Sequence, residues 1–161
     1  MIVISNTSPI VNLAAIGQLD LIRQLYGQVT IPQAVYNEIV IVGTGQPGAT
    51  EVEAFDWIET QQATNRTVVA SLRLELDEGE AEAIALAVEL KAGLLLLDER
   101  KGRAIASRLG LTFIGLLGVL IEAKHRGLIL TIEPLLDDLI GKAGFWIGQK
   151  LYDHVLQAAG E

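Results

Sequence analysis

Three carboxylates occupy positions that a chain of alternating strands and helices would bring together. Asp98 closes the run "GLLLLD", Glu80 lies near the start of "LDEGEAEAIALAVELKAG", and Glu38 lies in "VTIPQAVYNEIV". Acids gathered at one sheet edge repel one another unless divalent cations fill the space between them, and an ion held in that way can orient and deprotonate a water. Little else is open to this chain. It has no cysteine, and its only imidazoles are His125 and His154. Disulfides, thiol nucleophiles and cysteine-ligated zinc are therefore excluded, and the chemistry must rest on carboxylates.

Each acid also has a plainer reading. Four leucines make a strand buried on both faces, and Asp98 falls at its carboxyl end, where open α/β sheets place ligands; Asp is equally a common cap for a helix such as the one beginning at Glu99. Asp77 and Glu80 form a D-x-x-E pattern resembling a capping box, and acids near a helix N-terminus are favourable with its dipole. Glu38 lies roughly 60 degrees from the centre of the stripe Val35, Ile39 and Val42, at its rim, where glutamate is commonly solvated.

The elements that would position these acids follow from periodicity. Apolar runs "MIVIS", "VTIP", "RTVVA", "GLLLLD" and "LTFIG" read as strands. Helical spacing is expected over 9–16, 19–26, 33–41, 49–58, 78–91, 99–109, 117–126, 133–141 and 147–158. The alternation predicts an α/β fold layered around a largely parallel sheet. With 161 residues, half of them apolar, one domain over 1–161 is expected. No run of eighteen apolar residues and no signal-peptide pattern occur, so a cytoplasmic protein without a membrane partner is expected. The net charge of −8 argues against a protein that coats nucleic acid, although metal ions in an acidic site would offset it locally.

Two short stretches are ambiguous. "GTGQPG" at 43–48 matches the spelling of a dinucleotide-binding turn, yet no acid follows about twenty residues on, and Pro47 removes a backbone donor where phosphates would lie; a helix C-cap followed by a turn is the expected use. "SNTSP" at 5–9 reads partly as helix initiation, with Ser8 as the cap and Pro9 in the first turn.

Taken in order, "VISNTSPIV", "IPQAVYNEIV", "DEGEAEAIALA" and "LLLLDERKGR" resemble the PIN-domain ribonucleases, and within them the VapC-like toxins, over essentially the whole chain. The resemblance implies a three-layer α/β/α PIN-like fold with a central, mainly parallel sheet. It implies catalytic roles for Glu38, Glu80 and Asp98, and a metal set of Asn6, Glu38, Glu80 and Asp98 holding Mg²⁺ or Mn²⁺ for hydrolysis of RNA. Ser8 would be the small hydroxyl beside the acids, with Arg100 and Lys101 among the basic residues nearby that suit a phosphate backbone. Asn6 departs from the family pattern, which has Asp there. An amide oxygen can ligate Mg²⁺ but brings no charge and cannot act as a base.

Three readings stay open: a metal-dependent endoribonuclease, as one form of it the toxin of a toxin–antitoxin pair; a PIN-fold module of weak or no activity that binds RNA or a protein; and a nucleotide binder using 43–48. The apolar composition and the closing segment "GKAGFWIGQKLYDHVLQAAGE" add the expectation of a homodimer.

Overall fold

The structure is a computed structural model describing residues 1–161. Five parallel strands form one sheet in the order β3-β2-β1-β4-β5. They are β1 (Val3–Ser5), β2 (Val29–Pro32), β3 (Ile58–Gln61), β4 (Leu94–Leu96) and β5 (Phe113–Ile114). The chain runs outward from β1 to β3 on one side, then returns to lay β4 and β5 on the other. The strand order therefore reverses beside β1, and the crevice at the carboxyl ends of β1 and β4 is the place where such sheets hold ligands.

Ten helices cover the sheet. They are α1 (Thr7–Ala15), α2 (Asp20–Tyr26), α3 (Gln33–Tyr36), α4 (Ala49–Ala54), α5 (Arg66–Leu72), α6 (Glu78–Glu89), α7 (Arg100–Arg108), α8 (Leu116–His125), α9 (Glu133–Gly141) and α10 (Gln149–Ala158). A π-helical segment, Asn37–Val42, continues α3. Successive side chains of a strand point to opposite faces, and the leucines of "LLLL" divide accordingly. Leu96 joins Val3, Ile10, Leu116 and Leu136 in a core under α1, α2, α8, α9 and α10. Leu95 and Leu97 join Ile4, Ile84 and Ile105 in a second core under α5, α6 and α7. This is the three-layer α/β/α arrangement the resemblance implies. No helix is long and apolar enough to cross a membrane.

One expected strand is overturned. "RTVVA" is helix α5, because the Asn65 side chain accepts the N–H of Val68 and caps it, and Val69 is its buried residue. The third strand is instead "IETQ", which pairs with β2 from Val29–Ile58 to Pro32–Gln61. The helix expected over 49–58 stops at Ala54, where Phe55 turns extended and leads into that strand. At "GTGQPG" the preceding "IVIV" is π-helical rather than a strand, so the strand–turn–helix frame of a dinucleotide site is absent.

Candidate active site

At the end of β1 the Asn6 N–H still donates to Leu96 O at 3.0 Å, which holds Asn6 beside β4. Helix α1 begins at Thr7, so Asn6 takes the N-cap position, and Ser8 and Pro9 fall within the first turn rather than at its boundary. The expected cap at Ser8 is thus displaced by two residues. Asn6 is 5 % exposed and its side chain makes no capping bond. It lines a cavity of about 240 Å³ together with Thr7, Ser8, Glu38, Asp77 and Glu99.

The hydroxyls of α1 hold two of the acids. Thr7 Oγ1 donates to Glu38 Oε2 at 2.9 Å, while Ser8 Oγ donates to Asp98 Oδ2 at 3.2 Å and accepts from Asn12 Nδ2 at 3.0 Å. Glu38 is exposed on the π-helical segment, a kind of distortion frequent at functional sites. Asp98 does not cap its own helix: Glu99 is the N-cap of α7. Its Oδ1 instead accepts the N–H of Leu116 at 2.8 Å, joining the start of α8 to the end of β4.

The capping alternative divides at α6. Asp77 is its N-cap and accepts the Glu80 N–H at 2.9 Å, as a cap should. Glu80 does not return the bond: its Oε2 is buried without a hydrogen-bond partner. Glu82, two residues on, shows what a satisfied buried carboxylate looks like here. It is 3 % exposed, accepts the N–H of Ala34 at 3.3 Å and faces Arg66 at 3.6 Å. A buried polar atom without a partner costs free energy, which marks Glu80 Oε2 as an oxygen waiting for a donor or a cation.

Glycines make room for these acids. A Cβ on Gly79 would lie 3.1 Å from Glu38 Oε2 and 3.4 Å from Asn6 Oδ1. On Gly102 it would lie 2.9 Å from Glu80 Oε2, and on Gly115 2.8 Å from Asp98 Oδ1 and 2.0 Å from Arg103 Nη2. Space, not backbone conformation, is what each position requires, since none of the three has a positive φ. Sequence reading missed them; the available signal was Gly79, placed inside the first turn of a helix at a propensity cost of up to about 1 kcal/mol.

Burial sets the electrostatics. It pushes the Glu80 carboxyl up to about 7, helped by the neighbouring carboxyl of Asp77 and by the charge of Glu99. Burial likewise raises Asp98, against the pull of the Leu116 N–H, Ser8 and the Arg103 charge. Both acids therefore resist ionisation in the absence of a nearby positive ion, the expected response of carboxyls set among others in low dielectric.

The structure brings Asn6, Ser8 and Glu38 to one cavity; Asp98 joins them through Ser8 from the far side, and Glu80 is buried against Gly102 of α7, outside the cavity lining. Arg100 and Lys101 stand exposed on the first turn of α7 and border neither this cavity nor the one beyond Asp98. The basic residue held beside Asp98 is Arg103, whose Nε donates to Leu97 O at 2.8 Å. No group of three or more histidine or acidic side chains is tight enough to hold an ion by itself. The all-oxygen donors, the unpartnered Glu80 Oε2 and the space beside the glycines nevertheless fit Mg²⁺ or Mn²⁺. Mg²⁺ commonly takes one or two carboxylates and completes its shell with water and substrate phosphate.

A family model described as a PIN domain matches residues 2–161. The chain belongs to the PIN-domain family. No curated protein matches it. PIN domains are a nuclease family that generally uses divalent metal ions. In this PIN domain Asn6 stands at the carboxyl end of β1 beside β4, a position at which open α/β sheets commonly hold ligands.

Proposed function

We propose that this PIN domain is a metal-dependent endoribonuclease of the VapC-like kind, the toxin of a toxin–antitoxin pair. The observation that carries the reading is the buried, unpartnered Glu80 Oε2 beside a crevice of oxygen donors at the reversal of strand order. Asn6, Glu38, Glu80 and Asp98 would hold Mg²⁺ or Mn²⁺. When bound, such an ion lowers the pKa of water and offsets charge on phosphate and leaving oxygen.

The chain's own groups have separable parts. Thr7 fixes the Glu38 carboxylate, and Ser8 with the Leu116 N–H fixes that of Asp98, so neither acid must be reoriented during turnover. Glu80, raised to about 7, carries a proton that it can release as positive charge arrives. Asn6 orients by its amide and moves no proton. Arg103 supplies the fixed positive charge beside Asp98, and the exposed Arg100 and Lys101 supply steering only.

The neutral Asn6 favours a second reading, a PIN-fold module that binds RNA or a protein with little catalysis. An RNA cleavage assay with Mn²⁺, with Mg²⁺ and with chelator separates them: metal-dependent products support the nuclease, and intact RNA in all three supports the module. We extend the proposal to one domain over 1–161, acting in the cytoplasm as a homodimer with an antitoxin as protein partner. A monomeric mass at micromolar concentration by light scattering removes the dimer.

A further inference from the structure

The loop between α9 and α10, part of the closing segment from which a dimer is expected, has no part in the metal site, yet it shares a cavity with Asp98. Asp98 separates two hollows. Through Ser8 it adjoins the cavity of Asn6 and Glu38. On its other side opens a cavity of about 460 Å³, whose lining includes Asp98, Arg103, Phe113, Phe145, Trp146 and His154. Trp146 is 84 % exposed there. Its ring passes beside Gly148, where an added Cβ would stand 3.0 Å from Trp146 Cη2.

A fixed cation shares the cavity. Arg103 lies with its guanidinium 5.4 Å over the Phe113 ring and is tied to Leu97 O. It forms none of the salt bridges of the molecule; Asp98 is the acid that feels its charge, and the guanidinium keeps donors that an anion can meet. An exposed aromatic platform, a pinned guanidinium and an acid shared with the candidate phosphodiester site are the parts that hold an unpaired nucleotide: the base stacks, and the phosphate meets the cation. The rest of the wall is largely apolar, with Ile114, Leu117, Ile121 and Val155, which suits the face of a base, whereas an apolar protein segment would cover Arg103 and Asp98 without meeting either charge.

We propose that this cavity seats one unpaired nucleobase of a single-stranded RNA, stacked on Trp146, with its phosphate at Arg103 and the chain continuing past Asp98 to the acids. The inference rests on the nuclease reading and names a substrate subsite for it.

The test uses W57F, in which Trp146 is the remaining indole of the two in the chain. The probe is a 2′-O-methyl oligoadenylate ten-mer in EDTA, so that binding is read without cleavage. Trp146 emission should be quenched on binding. In otherwise wild-type protein, W146A should weaken binding by roughly tenfold or more while W146F retains most of it, in line with the usual worth of base stacking. In cleavage assays with Mn²⁺, W146A should raise KM and leave kcat nearly unchanged. If wild type cleaves RNA but no quench appears and W146A binds and cleaves normally, the subsite is wrong and the nuclease reading stands. If nothing cleaves but the quench and the W146A loss are seen, the nuclease reading fails and the base site stands. Failure of the ten-mer to bind overturns the proposal, as does a dimer that W146A dissociates while RNA binding is unchanged, for the cavity is then a contact between copies.

Discussion

Glu80→Gln isolates the charge of the buried acid at nearly constant size. With the folded pKa at about 7 against an ordinary 4.5, the folded protein holds this proton more tightly than the unfolded chain. The protonated form therefore costs nothing below pH 4.5. Stability is lost as pH rises from 4.5 toward 7, and the loss is complete above pH 7. Because Asp77 contributes to the shift and solvent screens part of it, this difference corresponds to about 1 to 2 kcal/mol at pH 8. Glutamine never ionises, and its amide can donate to the neighbouring Asp77. In EDTA the variant should thus be more stable than wild type at pH 8 by about 1 to 2 kcal/mol, or roughly 2 to 8 °C in melting temperature for a chain of this size. At pH 4.5 the gap should nearly close. Thermal unfolding followed by circular dichroism at the two pH values, in EDTA throughout, measures it. A variant less stable than wild type at pH 8, or an equal difference at both pH values, refutes the argument that Glu80 is a buried charge without a partner.

Asp98→Asn keeps an oxygen for the Leu116 N–H and a group that Ser8 can meet, so stability should change by less than about 1 kcal/mol in urea unfolding, while RNA cleavage falls by roughly a hundredfold or more. Asn6→Asp adds a carboxylate beside Glu38; the variant should melt lower than wild type in EDTA, gain more melting temperature from Mn²⁺, and cleave RNA faster. Gly79→Ala gains helix propensity of up to about 1 kcal/mol yet sets a methyl 3.1 Å from Glu38 Oε2, so the melting temperature in EDTA should hold or rise while the response to Mn²⁺ shrinks. Unchanged Mn²⁺ response in that variant would remove Gly79 from the site.

The position of Asp98 was legible because it marks an element end: "LLLLD" is a two-faced strand with its acid at the ligand edge, and that requires no tertiary information, whereas Glu38, inside a helical segment, was assigned to the site only by the resemblance. The third strand was not. "IETQ" is a short edge strand whose outward residues look polar, and its apolar Ile58 completes a helical spacing with the residues before it. "RTVVA" has β-branched residues that favour strands, and a single capping bond from Asn65 outweighs them. Pattern also could not separate two uses of "DEGE". Only geometry shows Asp77 capping while Glu80 Oε2 is left without a partner. In "SNTSP" the composition announced a helix start, but the division of labour did not show: Asn6 faces the crevice, Thr7 holds Glu38 and Ser8 holds Asp98.

The central claim is that these oxygens hold a divalent cation, and titration of Mn²⁺ followed by electron paramagnetic resonance tests it without relying on catalysis. Free Mn²⁺ gives the signal, and bound ion removes it. The account predicts saturable loss of signal with wild-type protein at pH 8, weak because Asn6 is neutral, tighter with Asn6→Asp, and abolished by Glu80→Gln. Wild type and Glu80→Gln taking up Mn²⁺ equally, or neither taking up any, would contradict it.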